Sequence, residues 1–142
     1  MTVYADSSFL ASLYVEDSHS AVTQEWMRQN PRVWFTPLNL AECFHAIAKQ
    51  VFYRRISRTA ADTIFQILQR DRADGLYLET AMPENAFNLC AELGRRYGPK
   101  LGMRTLDTLH VACALELKAE RFWTFDDRQA KLAKTAGLKT TE

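Results

Sequence analysis

Four short runs rich in β-branched and aromatic residues, TVYA (2–5), RVWFTP (32–37), LYLETA (76–81) and RFWTF (121–125), are separated throughout by stretches with apolar residues at helical spacing. That alternation constrains the fold more than any other feature. Strands that each hand over to a helix argue for an α/β domain whose sheet is mainly parallel and whose connections are right-handed crossovers. Such a sheet keeps its ligand site at the carboxyl ends of the strands.

Helices are expected over FLASLYV, capped by Ser7 or Ser8, over 18–29, and from Pro37 through LNLAECFHAIAKQVFYRR. A further helix over 57–72 carries Ile64, Ile67 and Leu68 on one face and closes at Asp74-Gly75. Pro83 is expected to start a helix reaching about Tyr97, with YGPKLGMR (97–104) as a loop. TLDTLHVACALELKA and DDRQAKLAKTA read as the last two helices, the second ended by Gly137, and LKTT (138–141) as a last short strand. With 142 residues, 47% hydrophobic, and no repeat or linker, one domain spanning 1–142 is expected.

Eighteen Lys and Arg against seventeen Asp and Glu leave no basic field, so any nucleic-acid contact must be local. The N-terminal stretch has no basic leader and no apolar run near the roughly 18 residues that a membrane span needs, so a cytoplasmic, non-membrane protein is expected. Cys43, Cys90 and Cys113 are odd in number and far apart, which fits neither a disulfide framework nor a zinc knuckle and suits buried thiols.

The acids sort by position. Asp6 follows the first strand and Asp126 the fourth; Glu42 interrupts an apolar helical turn; Asp107 falls in the first turn of an apolar helix. Taken singly, Asp6 and Asp126 are accounted for as helix caps, and Asp107 as a first-turn acid with Thr105 as the cap. Glu42 is either at the rim of a buried face or buried and paired. Taken together, four converging carboxylates would repel one another unless a cation compensated. Mg2+ or Mn2+ prefers such oxygen ligands, and the chemistry implied is metal-assisted attack of water on a phosphodiester.

VYADSSFLASL, LNLAECFHAI, MRTLDTLHVACAL and FWTFDDRQAKLAKTAGL resemble, in order and spacing, the motifs of PIN-domain proteins, and most of all the VapC-like ribonuclease toxins of bacterial toxin–antitoxin pairs. The resemblance covers nearly the whole chain. It implies a three-layer α/β/α sandwich around a mainly parallel sheet of four or five strands, with a Mg2+ or Mn2+ site that hydrolyses RNA. Carried over by position, Asp6, Glu42, Asp107 and Asp126 are the catalytic, metal-binding acids, and Ser8 and Thr124 the hydroxyls that support them. It further implies a cognate antitoxin, which could set an Arg or Lys against the carboxylates, and a homodimer.

Arg104, three residues before Asp107, is placed to hold a phosphate, and His110 to orient Asp107 or meet RNA. The basic clusters YRRISR and RRYGPKLGMR can serve substrate or be solvated helix ends. Trp34, Phe35 and Trp123 lie in strand-like runs and are expected in the core. Glu42 and His45 form a single E-x-x-H, where a di-iron bundle needs two. Neither a G-x-S-x-G elbow, a P-loop nor a dinucleotide fingerprint occurs. Two readings compete with the toxin: a non-catalytic PIN-like module that holds RNA or protein, and a PIN nuclease of RNA processing outside any toxin pair.

Overall fold

The computed structural model describes residues 1–140. β1 (Thr2–Ala5), β2 (Arg32–Phe35), β3 (Tyr77–Glu79) and β4 (Arg121–Trp123) form one sheet in the order β3-β2-β1-β4, and every pairing is parallel. Lys139 makes a single parallel bridge to Arg121 at the position expected for the last strand, whose final residue lies outside the described residues. The order runs outward from β1 to β3 and then returns to the other side of β1 for β4. Neighbouring connections therefore diverge between β1 and β4, which opens a crevice at their carboxyl ends.

Period-two alternation divides the core. Val3 and Ala5 of β1, Val33 and Phe35 of β2 and Trp123 of β4 face one apolar cluster; Tyr4, Trp34 and Phe122 face the other. The first cluster is covered by α1 (Ser7–Ala11), α2 (Ser20–Met27), α3 (Pro37–Phe52) and α4 (Arg58–Ala73). The second is covered by α5 (Ala86–Leu101), α6 (Thr105–Glu116) and α7 (Asp127–Thr135). The fold is thus an α/β/α sandwich on a four-stranded parallel sheet. All three cysteines are buried, and free as thiols.

Several boundaries differ from those the sequence suggests. α1 is capped by Asp6, whose side chain accepts from the Phe9 amide, rather than by Ser7 or Ser8, and it ends at Ala11. α5 starts at Ala86 and runs through Gly98-Pro99 to Leu101, where a loop was expected. Proline removes one backbone donor, but Tyr97 and Leu101 pack on the core, and Gly102 ends the helix in the left-handed conformation that suits glycine (φ 60°). In α6 the cap position is Arg104, with no side-chain cap, and Thr105 is the first helical residue. Ile67 of α4 is exposed while Leu68 is buried, so the apolar face is narrower than its pattern suggests. Pro37 opens α3 as expected, and Thr36 and Asn39 close a reciprocal capping box there.

Candidate active site

The carboxyl ends of β1 and β4 sit side by side, tied by a bond from the Asp6 amide to the Trp123 carbonyl (3.0 Å). A cavity of about 500 Å³ opens there, and its walls include Asp6, Glu42, Asp107 and Asp126. Four elements supply these acids: the end of β1, the second turn of α3, the first turn of α6 and the turn after β4. Arg104, Ser8 and His110 share the lining. A second cavity of about 430 Å³ continues from Arg104, Asp107 and Asp126 to Asp127 and Arg128.

Asp6 is 6% exposed and densely held. Its Oδ1 accepts from the Phe9 amide (2.9 Å), the Ser8 hydroxyl reaches both carboxylate oxygens (3.0 and 2.9 Å), and the Thr124 hydroxyl reaches Oδ2 (3.0 Å). Burial pushes the Asp6 carboxyl above its ordinary pKa; the Phe9 amide, His110 and the two hydroxyls act the other way without cancelling it. The helix-cap reading and the cleft reading of Asp6 therefore hold together.

The buried Thr124 hydroxyl ties the site to α7. It lies 2.6 Å from Gln129 Oε1, as well as 3.0 Å from Asp6, and it accepts from the Asp126 amide (3.0 Å). Gln129, fully buried, donates from Nε2 to the Asp107 carbonyl (3.1 Å), linking the turn after β4 to α6. Asp126 Oδ1 caps α7 by accepting from the Gln129 amide (2.8 Å), while Asp127 is the first residue of that helix and is exposed. Asp126 thus both caps a helix and lines the central cavity, whereas Asp127 lines only the adjoining one.

Glu42 is half-buried, and its hydrogen bonds fall on Oε1, from Ser7 Oγ (2.9 Å) and from His110 Nε2. Burial is the largest influence on its carboxyl and acts upward; His110, Ser7 and Arg104 together outweigh it and hold the group below its ordinary pKa. His110, expected to orient Asp107 or meet RNA, is 2% exposed and hydrogen-bonds Glu42 rather than Asp107. It sits on α6 one turn after Asp107 but on the inward face. Asp107 Oδ2 instead accepts from Arg104 Nε (2.9 Å), whose side chain is 82% exposed.

Ser7, Asn39 and Gln129 escape sequence reasoning. Ser7 reads as a cap candidate, Asn39 as a first-turn residue and Gln129 as a helix surface residue. Only Asn39, three residues after Thr36, carries a local signal. Its Nδ2 reaches the Ala5 carbonyl (3.3 Å) and Ser7 Oγ (3.4 Å) across a sequence gap that no periodicity spans.

The donor set suits a hard divalent cation, being all oxygen. One oxygen each of Glu42, Asp107 and Asp126 takes the hydrogen bonds described; the other takes none among the described residues. The four acids line the cavity without closing on one point, and no group of three or more His, Cys, Asp or Glu side chains is arranged as a metal cage among the described residues. The weakest tie is Asp107 to Arg104, an exposed ion pair that solvent screens.

The PIN-domain family model matches residues 3–135. No curated protein matches the chain significantly in sequence. Among solved structures, Mycobacterium tuberculosis VapC20, described as a sarcin–ricin loop cleaving toxin, is 18% identical, covers 96% of this chain and 95% of its own, and superposes with a TM-score of 0.69. FitAcB from Neisseria gonorrhoeae is 13% identical over 99% of this chain and 96% of its own, with a TM-score of 0.74. VapBC2 from Rickettsia felis, bound to a DNA fragment from its promoter, is 14% identical over 99% of this chain and 98% of its own, with a TM-score of 0.69. At these identities the likeness is one of fold.

Proposed function

The chain belongs to the PIN-domain family, and from that premise we propose that it is a Mg2+- or Mn2+-dependent endoribonuclease, the toxin of a toxin–antitoxin pair. One observation carries the reading: four carboxylates from four separate elements line one cavity at the switch point of the sheet. A hard cation bound there supplies Lewis acidity and lowers the pKa of the attacking water. The chain's own residues do the rest. Ser8, Thr124 and the Phe9 amide orient Asp6 and offset part of its burial cost. Ser7 and His110 fix Glu42. Arg104, on the rim with most of its side chain in solvent, offers a guanidinium to a substrate phosphate.

The toxin role draws on the fold shared with a toxin that cleaves the sarcin–ricin loop and with VapBC2. It brings with it an antitoxin that sets a cationic side chain against the carboxylates, a homodimer and a cytoplasmic setting, in a single domain over 1–142. No helix among the described residues is long and apolar enough to cross a membrane.

Asp6→Asn and Asp107→Asn are expected to abolish RNA cleavage with the circular dichroism spectrum unchanged, and excess chelator to do the same to the wild type. Full activity in either variant, or in chelator, overturns the nuclease reading. Growth arrest on expression, relieved by co-expressing the product of a short upstream reading frame, tests the toxin role. The spread of the acids favours one competitor, a non-catalytic module; tight RNA binding with no metal-dependent cleavage would select it.

A further inference from the structure

Tyr4, in the middle of β1, is fully buried, yet it carries a hydroxyl. A phenylalanine would fill the same volume without a polar group to satisfy. The hydroxyl lies 2.7 Å from His110 Nδ1, and the opposite ring nitrogen of His110 meets Glu42 Oε1 at the cavity wall. A phenol, an imidazole and a carboxylate therefore form one file from the core of the sheet to the cleft. We propose that Tyr4 and His110 are positioning residues that present Glu42 to a divalent cation through a single oxygen. The inference rests on the metal-nuclease reading above and adds to it a part for the core.

Proton bookkeeping gives the file its direction. The Glu42 carboxylate can only accept, so His110 Nε2 must carry a proton. In the neutral ring Nδ1 is then the acceptor, and the Tyr4 O–H fills it, which selects one tautomer. Without that hydroxyl Nδ1 has no partner, and the ring loses the bond that fixes its angle against Glu42. Ser7 donates to the same Oε1 (2.9 Å), and Asn39 holds Ser7 from behind (3.4 Å). Both files end on Oε1 and pin the carboxylate in one rotamer, with Oε2 accepting no hydrogen bond from the described residues. Hydrogen-bond partners that orient metal-binding groups in this way are worth roughly 10- to 100-fold in metal affinity.

Packing keeps the file rigid. Phe122 stacks on the Tyr4 ring at 5.8 Å with 4° between planes, and the His110 ring lies 5.6 Å from Tyr4 at 57°. Phe122 belongs to the same core but makes no hydrogen bond in the file, so it serves as a packing control.

The experiment is Mn2+ titration followed by electron paramagnetic resonance on the full chain, well below the melting temperature. Tyr4→Phe and His110→Leu are expected to weaken Mn2+ binding by about tenfold or more, while His110→Gln, which keeps a donor near Nε2, stays within about threefold of wild type. Phe122→Leu should lose thermal stability but keep wild-type affinity. Nitrogen-15 spectra of labelled histidine should show a proton on Nε2 in the wild type and a changed Nδ1 signal in Tyr4→Phe. Unchanged affinity in Tyr4→Phe, or His110→Gln as weak as His110→Leu, overturns the inference while leaving the metal reading intact. A wild type that binds no Mn2+ removes the metal reading and the inference with it. If Tyr4→Phe does not fold, the Gln and Leu variants at position 110 decide the matter.

Discussion

Thr124→Val exchanges a hydroxyl for a methyl at almost constant volume, at a residue 3% exposed, so its effect is one of hydrogen bonding rather than packing. The Thr124 hydroxyl has one proton, shared between Asp6 Oδ2 and the buried Gln129 Oε1, and its oxygen accepts from the Asp126 amide, so three groups are affected. Asp6 keeps Ser8 and the Phe9 amide, so its loss is partial; the other two are left short of a partner in or near the protein interior. At about 1–3 kcal/mol for each stranded group, discounted for partial solvent access and relaxation, the cost is about 2–5 kcal/mol. That is a large part of the roughly 5–15 kcal/mol that holds a domain together. At about 3 °C per kcal/mol for a chain of this size, the melting temperature should fall by about 6–15 °C. Thr124→Ser keeps the hydroxyl and should cost about 1 kcal/mol for the buried methyl. Thermal melts by circular dichroism, in chelator, measure both. A Val variant melting with the wild type, or a Ser variant as weak as Val, refutes the hydrogen-bond account.

The same pair carries a pH signature. Burial raises the folded pKa of Asp6 above its unfolded value, so the folded state favours the neutral acid. The stability tied to this group is complete below the unfolded pKa and is lost as pH rises through the folded one. Thr124 helps the ionised form, which needs donors. The gap between wild type and Thr124→Val should therefore widen as pH rises through the Asp6 pKa and narrow below it; a constant gap would show that Asp6 does not depend on Thr124. Gly94→Ala in α5, where an added Cβ meets nothing within 4 Å, should raise stability by about 0.5–1 kcal/mol, measured by urea titration. Arg104→Ala should leave the melting temperature unchanged, because its ion pair is exposed, while lowering the slope of log affinity for RNA against log salt by about 1 in an Asp6→Asn background. An unchanged slope would remove Arg104 from the phosphate-contacting groups.

Much of the architecture is legible in the chain because it depends on near neighbours. The β-prone runs and the helical spacing between them suffice for a parallel α/β sheet, and the order of Asp6, Glu42, Asp107 and Asp126 along it suffices for the family resemblance. Helix ends are less legible where distant packing outweighs local preference: α5 continues through Pro99 because Tyr97 and Leu101 bury against the core. Two adjacent aspartates follow β4, and their order along the chain suggests Asp126 as the strand-end acid and Asp127 as a first-turn acid of α7. The structure assigns the cap and the central cavity wall to Asp126 and leaves Asp127 exposed.

The sequence by itself determined which elements form, which face of each is apolar, and which acids fall at strand ends and helix starts, because periodicity and capping act within a turn or two. Tertiary structure alone decided what each acid touches. His110, three residues from Asp107 in the chain, belongs to Glu42, 68 residues away, and Thr124 belongs to Asp6, 118 residues away. The reason is that a hydrogen bond reads distance and direction in space at about 3 Å, and only the crossover connections of the sheet bring β1, α3, α6 and β4 within that reach.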